Sequence, residues 1–273
     1  MTSTPFDLDT VTRTSLPARE VVPMTMTSQD TGTGTGTGIG IGIGIGIGTD
    51  ADADAVRALQ GLEDGRSSVR LRAALAAGTT PDPRFVAKLI ERCATEPEFL
   101  VRDMLTWALT RHPATMTLPA LAGEVRSEHA QARSQALHTL SKIGNRQAWP
   151  AITEALLSDG DDEVARSAWR AAVVLVPEGG ESALAAVLAT QLGRGERETQ
   201  LSLSRALVAL GDVTAPALRA AATAPDAREH VRAHALATQR LLREPDAGFE
   251  FAIEEAKRVV ALGGPAERDD RTG

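Results

Sequence analysis

Tyrosine is absent from this 273-residue chain, aromatic residues make up only 3% of it, and it carries one cysteine, Cys93. Each shortage excludes something. A core with so few rings is built mainly from Leu, Ala and Val, and the first two favour helices over strands, so composition points to an all-α fold. A lone cysteine rules out an internal disulfide and fits a reducing cytoplasm. Lys and Arg number 29 against 36 Asp and Glu, a formal net charge of −7. That balance argues against a protein whose main task is neutralising phosphates, so direct nucleic-acid binding is not expected. No run of about 18 or more apolar residues occurs, so no membrane span is expected. The opening MTSTPFDLDTVTRTSLPARE lacks both the basic and the apolar regions of a secretory signal.

Glycine, by contrast, is present in a conspicuous pattern. Residues 31–48 read TGTGTGTGIGIGIGIGIG, with Gly at every even position from Gly32 to Gly48. Phosphate-cradling loops of the forms G-x-G-x-x-G and G-x-x-x-x-G-K need two glycines an odd number of positions apart. Strict alternation never supplies them, and the first lysine of the chain is Lys88. The run is not a nucleotide loop. Residues 1–50 are rich in Thr, Ser, Asp, Pro and Gly, with too little apolar surface to offset chain entropy, so a disordered tail is expected there. Ile39–Gly48 mimics a strand by its period of two, but alternate glycines weaken any strand and no pairing partner is visible. A second short tail is expected over 265–273.

Between them, over 51–264, amphipathic helical segments follow one another, punctuated by Gly, Pro and Asp. Asp82-Pro83 reads as an N-cap with proline in the first turn, and Gly78, Gly144 and Gly211 read as helix ends. A small apolar residue followed by arginine recurs in every second segment: Val69-Arg70, Val101-Arg102, Ala132-Arg133, Ala165-Arg166 and Val231-Arg232, with Thr199-Gln200 filling the remaining slot. The slots 70, 102, 133, 166, 200 and 232 advance by 31 to 34 residues. Behind each marker runs an apolar stripe, as in Ala132, Ala136, Leu140 and Ile143, or Thr199, Leu203, Leu207 and Leu210. A helical hairpin with one such stripe cannot bury it alone; stacking on the next copy can.

The hairpin with an early Val-Arg in its second helix resembles the HEAT repeat in its short bacterial form. The resemblance implies a right-handed α-solenoid of about six hairpins, closed near 249–261. It also implies a polar ladder in which the arginines (Arg70, Arg102, Arg133, Arg166, Arg232) pair between neighbouring repeats with acids a few positions upstream of each marker (Asp64, Glu96, Asp161, Asp226). Ser127 and Arg194 hold the matching slots elsewhere and should interrupt it. Residues 52–264 are also similar to the HEAT-repeat C-terminal region of actinobacterial MerR-type regulators, through stretches such as FLVRDMLTWALTRHP and FEFAIEEAKRVVALGG. Those regulators carry a winged helix-turn-helix ahead of the repeats, where this chain carries its Thr/Gly-rich segment.

Candidate chemistry is sparse. His230 and His234 share a helix face four apart but lack the glutamate of H-E-x-x-H and any third ligand, so both read as surface polar residues and no metal site is expected. Cys93 reads as a half-buried structural thiol. No cofactor is expected. Six positions past each marker lie Leu75, Trp107, His138, Ala171, Arg205 and Ala237. Second helices of HEAT-like arrays line the concave surface, which makes Trp107, His138, Arg205 and the adjacent Arg170 candidate partner-binding residues, while Trp169 should be core. The expected function is a non-catalytic scaffold for a protein partner, with neither nucleic acid nor membrane as partner. The alternatives are the effector module of a MerR-like regulator, an enzyme resembling HEAT-like phycobilin lyases, and a HEAT-like DNA glycosylase, which the acidic charge disfavours.

Overall fold

A computed structural model of the chain describes residues 50–244 and 248–262. The expectations for the glycine-alternating tail and for 265–273 lie outside the described residues. Asp50, assigned above to the tail, opens the first helix, where Asp50 and Asp52 face the positive end of its dipole.

Among the described residues there are thirteen α-helices and no strand. They form six hairpins: α1 (Asp50–Gly61) with α2 (Ser67–Thr79), α3 (Pro83–Thr95) with α4 (Phe99–Thr110), α5 (Ala114–Glu124) with α6 (Ala130–Ile143), α7 (Glu154–Leu157) with α8 (Asp162–Leu175), α9 (Glu181–Ala189) with α10 (Arg197–Leu210), and α11 (Ala215–Thr223) with α12 (Glu229–Arg243). A last helix, α13 (Phe249–Ala261), packs on α12. Each second helix contacts the next, α2 on α4, α4 on α6, and so on to α12, so the fold is an α-solenoid. First helices stack along the other layer, α3 on α5 and α7 and α11 on α9.

Local chemistry sets the helix ends. Asp82 accepts a hydrogen bond from the Arg84 N–H at 2.8 Å, with Pro83 in the first turn of α3. From there Phe85, Val86, Leu89, Ile90 and Cys93 fall on one buried face. Gly144 ends α6 at φ 66°, the left-handed position a side chain resists.

The stripes behind the markers make the core. Val101, Leu105 and Leu109 of α4, Ala132, Ala136 and Leu140 of α6, and Ala165, Trp169 and Ala172 of α8 are all buried. At the far end Ala233, Ala237 and Leu241 of α12 bury against Phe249, Ala252, Ile253 and Ala256 of α13, so α13 covers the face that the last hairpin would otherwise expose.

The fourth hairpin departs from the pattern. AWPAITEALLS reads as one helix, but its first part is a 3-10 turn over Arg146–Ala151 and only Glu154–Leu157 is α-helical. Pro150 donates no N–H, Ile152 and Thr153 are extended, and the Thr153 hydroxyl caps the short turn that follows. The shortened layer lets Trp169 fill the space. Its ring is fully buried and its Nε1–H donates to the Leu157 carbonyl at 2.8 Å.

By length and composition alone, Arg197–Thr223 is apolar enough to cross a bilayer. It consists of α10, a 3-10 turn over Gly211–Thr214, and α11. Leu203, Leu207 and Leu218 from this stretch are buried in the array's own core.

Candidate docking groove

The arginine series does two separate jobs. The first is local. One guanidinium nitrogen of Arg70 donates to the carbonyls of Asp64 and Gly65, that of Arg102 to Glu96 and Pro97, and that of Arg133 to Ser127 and Glu128, all at 2.7–3.0 Å. Arg232 does the same to Ala224 and Pro225, and the Gln200 amide to Gly195 at 3.1 Å. The marker side chain thus ties down the turn before its own helix, satisfying carbonyls that a tight connection leaves without partners.

The second job is contact between neighbouring hairpins. Arg70 of α2 pairs with Glu96 ahead of α4, and Arg133 of α6 with Asp159 ahead of α8. Glu96 also receives Arg92 and the N–H of Glu98. Burial works against its ionisation, but Arg70, the Glu98 N–H and Arg92 overcome that and hold its pKa at about 2. Arg166 pairs with Glu198 of α10 at 3.3 Å and Glu163 at 3.4 Å.

Three acids assigned to the ladder are placed otherwise. The Asp64 carboxylate binds Arg66, and only its backbone carbonyl reaches Arg70. Asp161 caps α8 through the N–H groups of Glu163 and Val164, and the acid two residues earlier takes Arg133. Asp226 makes no ion pair among the described residues. The slot predicted to interrupt the ladder, Arg194, in fact reverses it and pairs with Asp162 at 2.9 Å.

The face formed by the second helices carries two adjoining grooves. One, of about 550 Å³, runs between α4, α6 and α8 and is lined by His138, Arg170 and Phe99 among others. The other, of about 560 Å³, runs between α6, α8 and α10 and is lined by Arg170 and Arg205 over Val173, Val174 and Leu201. Lys142 and Arg170 border both. Three of the four candidate residues therefore line one or other of these grooves, and Arg170 lines both. Trp107 lines neither groove. It sits on α4 with its ring against Gly78 of α2 and is 38% exposed.

The six-past-the-marker register fails at two places. Ala171 and Ala237 are fully buried, because α8 and α12 turn that position into their neighbours. On α8 the exposed residue beside that position is Arg170. Burial lowers the His138 pKa, and the nearby charges of Arg170 and Lys142 lower it further. Arg170 is itself lowered, by partial burial first and by Arg166 as well, with Glu163 opposing.

Sequence reasoning missed Lys142, Glu198 and Val174. Each sits on a helix whose face the marker spacing identifies, Lys142 and Val174 one turn from His138 and Arg170, and Glu198 two turns from Arg205.

Two other residues differ from expectation. His234 is fully buried rather than on the surface: Nδ1 accepts from the Gly193 N–H at 2.9 Å, and Nε2 lies 2.9 Å from the Ser204 hydroxyl and 3.0 Å from the Gln200 carbonyl. Burial, partly offset by the Gln200 carbonyl, lowers its pKa to about 4. Cys93 is buried too, and burial pushes its thiol up to about 12. Among the described residues no cluster of three metal-ligating side chains occurs.

Residues 97–173, from just before α4 into α8, match a family model described as HEAT repeats. No curated protein matches the chain. A crystal structure described as that of an engineered protein is similar over 79% of this chain and 99% of that one, at 20% identity and a TM-score of 0.35, a likeness too low to carry an argument. The matched residues run along the α4–α8 segment that borders the first groove.

Proposed function

We propose that this chain is a non-catalytic scaffold that docks a protein partner on the face formed by α4, α6, α8 and α10. The observation that carries this reading is the composition of that face. The exposed tryptophan Trp107 stands on α4, and the arginines Arg170 and Arg205 flank open grooves further along. Tryptophan and arginine are the side chains that most often anchor protein interfaces, and a rigid helical array holds them without entropic loss. HEAT repeats generally serve as interaction scaffolds, and the match over 97–173 falls on this face.

Two titratable groups, Cys93 and His234, are committed to structure. Cys93 is held protonated, and both His234 nitrogens are engaged. A cytoplasmic location belongs to this reading, on the strength of a single, buried thiol. Transcriptional control is the setting we favour, on the resemblance of residues 52–264 to the repeat region of MerR-type regulators.

Tagged protein recovered from its native host should co-purify a partner that is lost with Trp107→Ala and kept with Arg126→Glu, which alters a residue between α5 and the 3-10 turn on the opposite layer. Equal recovery with both variants would remove the Trp107 end of the second-helix face from the docking surface.

A further inference from the structure

We infer that the groove between α6, α8 and α10 takes an extended peptide segment in which carboxylate and aliphatic side chains alternate; this rests on the scaffold reading above. Four cations border that groove, Lys142, Arg166, Arg170 and Arg205, against a single carboxylate, Glu198. A chain with net charge −7 has here concentrated positive charge. Glu198 is already engaged by Arg166, and Glu163 lies 3.5 Å from Arg170. Lys142 and Arg205 have no acidic partner among the described residues. Two cations therefore stand ready for an incoming acid, and Arg205 offers the planar fork that carboxylates accept.

Apolar surface decides what else the occupant carries. Val173, Val174, Leu201, Ala206 and Ala209 share the lining, and Val174 is 44% exposed on α8. A charged ligand alone would leave that surface wet. Arg170 shares α8 with Val173 and Val174, and Arg205 shares α10 with Leu201, so a segment that interleaves acids with aliphatics meets a cation and an apolar surface on each helix it crosses. Neighbouring helix axes lie roughly 8–10 Å apart, so α6 to α10 spans roughly 16–20 Å. At about 3.3 Å per residue this accommodates five or six residues. Single-stranded nucleic acid would meet no stacking platform, because none of the lining residues is aromatic.

Fluorescence polarisation with a labelled hexapeptide alternating glutamate and leucine tests the inference. Saturable binding is expected, weakened at least tenfold when lysine replaces the glutamates or serine the leucines. It should weaken at least fivefold with Arg205→Ala, whose side chain makes no hydrogen bond among the described residues, and more with Arg170→Glu/Arg205→Glu. Arg126→Glu should bind as the unaltered chain does, and thermal melts confirm folding of each variant. No saturable binding by the unaltered chain, equal binding by Arg205→Ala, or a DNA hexanucleotide that binds tighter and competes would each overturn the inference. Should the hexapeptide fail while Trp107→Ala still loses a co-purified partner, the acidic-peptide assignment falls and the scaffold reading stands.

Discussion

The guanidinium of Arg70 and the carboxylate of Glu96 meet through two hydrogen bonds, of 2.6 and 2.7 Å, although they lie 26 residues apart in neighbouring hairpins. Both are buried. The pair closes the seam between α2 and α4, and each partner would be costly to leave alone.

Removing one partner should therefore hurt more than the pair's net worth. Glu96→Ala strands Arg70 and Arg92 and is expected to cost about 3–5 kcal/mol in urea unfolding. Arg70→Met/Glu96→Leu should recover part of that loss. Full recovery is not expected, because the carbonyls of Asp64 and Gly65 lose the same guanidinium. Breaking an exposed pair such as Lys257–Glu254 should leave the urea midpoint nearly unchanged.

Acid should destabilise the array in two stages. His234 has a folded pKa of about 4 against an ordinary 6.5. Above pH 6.5 it is neutral in both states and the contribution is complete. Between 6.5 and 4 only the unfolded chain takes up the proton, so stability falls by an amount on the order of 3 kcal/mol. Glu96, at about 2 against 4.5, adds a loss that begins below pH 4.5 and continues as pH falls through 2. Urea midpoints measured from pH 8 to pH 4 should fall most below 6.5, and His234→Gln should flatten that limb.

Gly78 marks a close approach of helices. A Cβ there would meet the Trp107 ring and lie 2.9 Å from the Ala108 Cα. Gly78→Ala should cost about 1–3 kcal/mol and shift the Trp107 emission. Gly65→Ala, with nothing within 4 Å, should change neither.

The thiol of Cys93, held near 12 by burial, should resist alkylation at pH 7. Its maleimide labelling rate should follow the frequency of local opening and rise with added urea. Fast labelling of the native chain would show the α3 thiol open to solvent.

Much of this fold is legible in the sequence because a hairpin has one way to hide its stripe. The six markers locate the second helices, and Trp169, four past its marker, is buried as that spacing requires. Polar detail is less legible. Asp159 and Asp161 are equally acidic, and only the direction of the turn before α8 makes one a partner for Arg133 and the other a cap. His234 gives no hint of burial, since its partners, Gly193, Gln200 and Ser204, lie 30 to 41 residues away. The groove residues fell between these extremes. His138, Arg170 and Arg205 were found through helix phase, whereas Lys142 sits beyond the turn that phase singled out.

Hydroxyl-radical footprinting of the complex with a co-purified partner tests the central claim most directly. Docking on the second-helix face predicts that Trp107, His138 and Val174 lose reactivity, while Met116 of α5 and Val213 beyond α10 keep theirs. Protection of Met116 and Val213, with Trp107 and Val174 as reactive as before, would place the partner on another surface and contradict the account.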